Sequence, residues 1–299
     1  MDQRLYKQIS LKKLLKNHQL YKPSFFIKNW DSVFIINKFY IHLFDSSGHR
    51  KQSIEFPTDQ NNTFAVLESN KPPVFHGNNM YTLVRPYVND KSINALRRWK
   101  VLYNFDLKRG KTQLLYHLPE TYQNQYYGYH FLDYNWCYNN HDRFVFSFPA
   151  DTLLYETDLT NYNHSYFARS RFQQHAIQAI DKLLLDSNKD FQEYATRDSY
   201  GSVFFDPFRK YYLRLAQQKI TPEAFQAKQR NKQTVLILDE HFRVIGESPW
   251  PEKADFESLF VTPDGRLYAR TNFKDENALH FVGFAYQENK ADSILLSKY

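Results

Sequence analysis

The chain of 299 residues carries a formal net charge of +7, with 42% apolar and 24% charged residues, and 23 Tyr and 26 Phe supply most of its 18% aromatic content. A chain of this length buries a core that needs no metal or disulfide to hold it, and its single cysteine, Cys137, excludes an internal disulfide and argues against a cysteine-based zinc site. No apolar run approaches the roughly eighteen residues of a membrane-spanning helix, and residues 1–20 are too polar for the apolar stretch of an export signal, so a soluble protein without a transmembrane segment is expected.

Residues 1–56 hold ten Lys or Arg against four Asp or Glu, and "RRWK" at 97–100 adds a second basic cluster. These read as solvated loop charge rather than a nucleic-acid surface, which would need a larger, continuous footprint. In chain order, Ser10–Leu20 suits either a short helix capped by Ser10 or an irregular lead-in, and residues 1–24 are set apart from a single domain over 25–299. Strand signals then become dense, because aromatic and β-branched residues fit a pleated, half-buried surface. "SVFIINKFYIHLFDSSGHRKQSIEFP" contains three strand-like runs with "DSSG" as turn punctuation.

The same layout recurs in "PVFHGNNMYTLVRPY", "WKVLYNFDLKRGKTQLLYHL", "HFLDYNWCYNNHDRFVFSFPADTLLYETDL", "GSVFFDPFRKYYLRLA", "TVLILDEHFRVIGES" and "SLFVTPDGRLYARTNF", and "LHFVGFAY" adds a final strand. Comparable segments begin near Leu43, Leu102, Leu154 and Leu236, separated by 59, 52 and 82 residues. Repeats of about 40–50 residues with some four strands each mark propeller blades, so an all-β β-propeller with insertions is expected, a pair of β-sandwiches being the alternative. One insertion is an amphipathic helix around 171–185, where Phe172, Ala176, Ile177, Ile180, Leu183 and Leu184 share a face and Ser170 supplies a cap.

In the hairpin "YGSVFFDPFRKYYLRLA", Tyr211, Leu213 and Leu215 alternate with Tyr212 and Arg214. Large groups on both faces suit a sheet sandwiched between others, which makes packing the first reading; the alternative for Tyr212 and Arg214 is a central mouth, where Tyr stacks and Arg recognises carboxylates. Together with "TVLILDEHFRVIGES" and "LFVTPDGRLYAR", this stretch resembles the C-terminal half of a Bacteroidetes family, domain of unknown function 4221. The family pattern is an aromatic-Asp-Pro-aromatic-Arg turn, matched by Phe205, Asp206, Pro207, Phe208 and Arg209, and a Tyr-Tyr-x-Arg strand, matched by Tyr211, Tyr212 and Arg214. The resemblance is best over residues 128–286. It implies a TolB-like propeller of six blades (five or seven staying open) and an envelope protein, in the periplasm or associated with the outer membrane. The chain departs from the lipoprotein form in having no lipobox cysteine, Cys137 lying too deep, which leaves a cytoplasmic alternative.

Chemistry is sparse by comparison. His130 with Asp133, and His141 with Asp142, are local pairs without the three or four converging ligands a metal needs, and "TPDG" and "DSSG" read as turns rather than calcium loops. There is no G-x-S-x-G elbow and no phosphate cradle, and Asp158, Asp239 and Glu240 at strand ends are ordinary turn formers. No cofactor or metal is therefore expected. The expected function is a non-enzymatic binding module taking a protein, peptide or glycan partner at the propeller mouth, through Tyr200, Arg209, Tyr212 and Arg214. The alternatives are a polysaccharide hydrolase or lyase whose residues converge from several blades, and a purely structural module.

Overall fold

The computed structural model describes residues 24–37, 40–56, 63–67, 71–86, 92–180, 189–271, 277–289 and 293–298. The alternatives for Ser10–Leu20 fall outside them. Contacts divide the chain into two compact units, residues 1–88 with 100–116 and residues 89–99 with 117–299.

The first unit contains two antiparallel sheets. Strands β1 (Ser24–Asn29), β2 (Ser32–Asn37), β3 (Tyr40–Phe44) and β4 (Arg50–Glu55) lie in chain order. The second sheet runs β5 (Thr63–Val66), β7 (Asn79–Pro86), β8 (Lys100–Asp106), β9 (Lys111–His117), with β6 (Val74–His76) paired to β7. Phe56 packs 5.2 Å from Tyr103 and 5.4 Å from Phe105 between ring centroids, so the odd-numbered aromatics of β8 face the core.

The second unit holds three four-stranded sheets, each again in chain order. They are β10 (Asn135–Tyr138) to β13 (Asn163–Phe167) through β11 (Phe144–Ser147) and β12 (Leu153–Thr157); β14 (Ser199–Asp206) to β17 (Val244–Pro249) through β15 (Tyr211–Gln217) and β16 (Gln233–Leu238); and β18 (Phe260–Val261) to β21 (Ser293–Lys298) through β19 (Leu267–Arg270) and β20 (Phe281–Asn289). Among the described residues the α-helices are single turns or little more: α1 (Ile93–Arg98), α2 (Glu120–Asn124), α3 (Asp190–Ala195) and α4 (Pro222–Gln226).

The turn residues explain why the chain keeps folding back. Asp106, Asp158, Asp206 and Asp239 each accept hydrogen bonds through Oδ1 from main-chain N–H groups two to four residues on, at 2.8–3.2 Å, and Asn139 does the same for His141 and Arg143. Such side-chain-closed turns fix the reversal before the strands pair.

Alternation along β15 sends Leu213 and Leu215 to one face, where they join Val235, Ile237, Trp250, Phe256, Leu267 and Phe284 in one core. Tyr212 and Arg214 point to the other face, against the β10–β13 sheet. Each such buried aliphatic or aromatic group contributes about 1.5–3 kcal/mol. Where β17 meets β21, a Cβ on Gly246 would lie 1.7 Å from the carbonyl oxygen of Ile294, so only glycine permits that approach.

Among the described residues the sheets number five and all are open; none closes on itself or curls strongly, so the six-bladed, TolB-like β-propeller and its axial mouth are not the architecture found. The chain-order meanders were read correctly as strands, but meandering satisfies each sheet's internal hydrogen bonds and does not by itself demand a ring. The helix around 171–185 is also absent over 171–180, which is irregular, while residues 181–188 lie outside the described residues. Ile177 and Ile180 are buried, as their spacing suggested, but through tertiary contacts. The Ile180 N–H donates to the Tyr126 carbonyl at 2.8 Å, and Ser170 donates its hydroxyl to Glu247 rather than capping a helix. Fixed partners from distant segments override a marginal local propensity.

Candidate functional site

The four residues singled out from the sequence do not form one accessible site. Arg214 is 0% exposed and spends its donors inside the protein: on Ser147 Oγ at 3.0 Å and on the carbonyls of Thr152 (3.0 Å), Ala168 (3.0 Å), Asp151 (2.7 Å) and Phe148 (3.4 Å). Its guanidinium also lies 3.9 Å above the Tyr200 ring. Burial pulls it down to about 10, which leaves it charged at neutral pH. Tyr200 is buried too, its hydroxyl accepting from the Ser170 N–H at 3.1 Å.

Tyr212 is buried, stacks on Phe242 at 4.3 Å and accepts from Asn139 Nδ2 at 2.9 Å. Burial above all pushes its hydroxyl well above the ordinary tyrosine value. Arg209 alone reaches the surface, and there it ties two turns together, donating to Asp206 Oδ2 at 3.0 Å and to the Gly265 carbonyl at 2.8 Å. These side chains hold sheet to sheet and turn to turn.

The other sequence candidates separate in the same way. His130 meets Asp190 at 4.0 Å rather than Asp133, and no three His, Cys, Asp or Glu side chains among the described residues are grouped to hold a metal. Burial, then the Glu156 carboxylate, pushes the Cys137 thiol far above its ordinary range, which suits packing rather than nucleophilic attack. Asp158 and Asp239 are occupied with turn amides, and Glu240 pairs with Lys210 at 3.1 Å.

An open groove of about 1130 Å³ lies elsewhere in the second unit. Its floor is Leu215, Trp250, Ala254 and Phe256, and its wall is the excursion between β15 and β16. That excursion is built locally. Thr221 caps α4 by accepting from the Ala224 N–H at 3.1 Å, Pro222 starts the helix, and Lys228 ends it at φ 56°. Asn231 Nδ2 then clamps it by donating to the Ala195 carbonyl at 2.7 Å and the Gln218 carbonyl at 2.9 Å. Across the groove, Trp250 is fixed by its indole N–H on the Ala254 carbonyl at 2.8 Å and by stacking on Phe284 at 4.7 Å.

Five glutamines line the groove, Gln217, Gln218, Gln226, Gln229 and Gln233, beside Asn231, whose amide N–H groups are already spent on the clamp. Phe191, 56% exposed, stands at its edge with Phe225, their centroids 5.8 Å apart. Lys228, Arg230 and Lys232 also line it, as do Glu252, Asp255 and Glu257. Glu257 accepts from the Ser202 hydroxyl, which in turn accepts from Asn135 Nδ2 at 2.7 Å, so this carboxylate is held from behind. The sequence reading passed over the groove, although "QQKITPEAFQAKQRNKQ" at 217–233, dense in amides and bases, was its visible sign.

Comparison with known proteins places this architecture in context. A crystal structure of a family member from Bacteroides vulgatus shares 19% identity with the chain, over 91% of this chain and 76% of that one, with a TM-score of 0.68; at that identity the likeness is one of fold. The extracellular domain of BT4673 from B. thetaiotaomicron shares 10% identity over 92% of this chain and 32% of that one, with a TM-score of 0.47. A virginiamycin B lyase from Staphylococcus aureus shares 9% identity over 92% and 82%, with a TM-score of 0.46. No curated protein matches the chain in sequence. The model of the family described as "Domain of unknown function (DUF4221)" matches residues 21–249, most of the chain, and the chain belongs to that family.

Proposed function

We propose that the protein is a non-catalytic recognition module whose second unit takes a neutral oligosaccharide in the amide-lined groove. The carrying observation is the five glutamines around one cavity, Asn231 being spent on its clamp, with an exposed phenylalanine at the lip. A primary amide both donates and accepts and stays neutral at every pH, so a row of them matches hydroxyls spaced along a sugar chain. Phe191 offers an apolar face against which a pyranose ring packs. The volume exceeds the roughly 300–1,000 Å³ of a pocket for one small molecule, which suits several linked units. The site is a groove of the second unit and involves no axial mouth.

We place this binding in the cell envelope, in the periplasm or at the outer membrane, the compartment the family resemblance implies. No helix among the described residues is long and apolar enough to cross a membrane. The test is an array of neutral and charged oligosaccharides probed with the intact protein, followed by titration of the best ligand. Neutral oligosaccharides are expected to bind without being cleaved, and the triple variant Gln218→Ala, Gln226→Ala, Gln229→Ala to lose at least about tenfold in affinity, each amide bond contributing about 0.5–1.5 kcal/mol. Absence of any neutral glycan ligand, or binding untouched by the triple variant, refutes the reading.

A further inference from the structure

The hairpin of β1 and β2 turns through two residues, Trp30 and Asp31, between the paired Asn29 and Ser32. Asn29 closes that turn, its Oδ1 accepting from the Asp31 N–H at 3.0 Å. Alternation along β1 sends Phe26 to one face, its ring 5.9 Å from that of Phe75, and Phe25 and Ile27 to the other. There they meet water: Phe25 is 65% exposed, Ile27 54%, and Trp30, at the tip, 81%. Strand β1 is also the edge of its sheet, paired among the described residues with β2 alone. Exposed apolar residues scattered singly are ordinary, but three on one edge hairpin form a patch that marks an interaction surface.

The charges around the patch select the partner. Lys28, its ammonium 4.2 Å from the Phe75 ring centroid, and Arg50 are both exposed, and neither is paired with a carboxylate among the described residues. Arg50 ends the cross-strand row that runs from Ile27 through Val33 and Phe44. The nearby carboxylates are occupied: Asp31 takes the Lys51 ammonium, and Asp45 accepts from the Ser47 hydroxyl and from the Ser47 and His49 N–H groups. The sequence leans the same way, with a net charge of +7 and ten Lys or Arg against four Asp or Glu over residues 1–56. Two-fold pairing of the hairpin would set this positive patch against its own copy, and like charges repel. A bilayer with anionic headgroups is the opposite case, because an indole settles at headgroup depth and cations beside it reach the phosphates. Two six-residue strands reach only about 20 Å against a hydrocarbon core of about 30 Å, so the hairpin fits the interface and does not cross it.

We propose that this hairpin docks the protein on an anionic bilayer, Trp30, Phe25 and Ile27 entering the headgroup region and Lys28 and Arg50 meeting lipid phosphates. The surface belongs to the first unit and is independent of the groove in the second. Sedimentation of the intact protein with phosphatidylcholine vesicles containing about 30% phosphatidylglycerol tests it, with pure phosphatidylcholine vesicles alongside. Tryptophan emission reports on the hairpin, because Trp99, Trp136 and Trp250 are buried and Trp30 is exposed. Partition into the anionic vesicles is expected to be at least about tenfold stronger than into the neutral ones, with a blue shift of emission on binding. Trp30→Ala and the double variant Lys28→Gln, Arg50→Gln are each expected to weaken it at least about tenfold, and, the side chains being exposed, to leave the thermal midpoint in place. No partition into anionic vesicles, equal partition into both, an emission that does not move on binding, or partition unchanged in Trp30→Ala overturns the proposal. A concentration-dependent dimer abolished by Trp30→Ala overturns it in favour of a second copy of the chain.

Discussion

Arg214 offers the sharpest test of how the second unit is held together. Replacing it with alanine strips a charged donor from four main-chain carbonyls, those of Thr152, Ala168, Asp151 and Phe148, and removes the cation from the face of Tyr200. The Thr152 and Phe148 carbonyls keep main-chain donors, the N–H groups of Ala168 at 3.0 Å and Asp151 at 3.1 Å, so the Ala168 and Asp151 carbonyls lose most; a buried carbonyl left without a partner costs about 1–3 kcal/mol, so these two sum to about 2–6 kcal/mol. The variant regains the cost of keeping a guanidinium out of water, and breaking buried charged clusters on one side leaves a net loss of about 3–5 kcal/mol. At about 2–4 °C per kcal/mol for a region of this size, the thermal midpoint falls by roughly 6–20 °C. Arg214→Lys keeps the charge but has three donors rather than five, so it falls between wild type and Arg214→Ala. Urea titration followed by tryptophan fluorescence measures all three. A loss below about 1 kcal/mol for Arg214→Ala at unchanged m would show that the carbonyls do not depend on this side chain, and would refute the reasoning.

Three further outcomes follow from the same structure. Gly246→Ala forces a Cβ into the Ile294 carbonyl and is expected to cost at least about 1–3 kcal/mol by urea titration, whereas a neutral result contradicts the close approach of β17 and β21. Asp45, held by the Ser47 hydroxyl first and then by turn amides, and Asp158, held by the N–H groups of Tyr162 and Thr160, both sit at about 2, below the ordinary 3.8. Their folded values are depressed, so their contribution is present above pH 3.8 and is lost as pH falls towards 2. The double variant Asp45→Asn, Asp158→Asn is therefore expected to flatten the fall of the urea midpoint across that window, and an unchanged profile counts against it. Cys137, its thiol pushed up by burial, is expected to react with a thiol reagent far more slowly in native than in urea-unfolded protein, and equal rates contradict its placement.

The strands and their turns were legible because their signals are local. An aspartate that closes its own turn, as at Asp106 or Asp206, and alternating apolar residues on either side, as in β15 and β16, need no knowledge of the rest of the chain. What followed from spacing alone was less secure. Segments starting near Leu43, Leu102, Leu154 and Leu236 are indeed successive sheets, but repetition in sequence does not fix how sheets are disposed, and the expected ring was not found. The stripe through Ile177 and Ile180 failed for a related reason, since periodicity reports which residues are buried and leaves open whether a helix or an irregular segment buries them. Tyr200, Tyr212 and Arg214 drew attention as chemically versatile residues, and that versatility is used for internal hydrogen bonds. The groove escaped notice because glutamines carry no charge or spacing signature and acquire a role only when the excursion at 218–232 folds back onto α3 and Trp250.

Hydrogen exchange on the intact protein, with and without the neutral oligosaccharide selected by the array, tests the groove most directly. Slowed exchange confined to residues 217–234 and 249–257, and lost in the Gln218, Gln226, Gln229 variant, is the result the account predicts. Protection spread over other sheets, or none with the ligand at saturation, contradicts it.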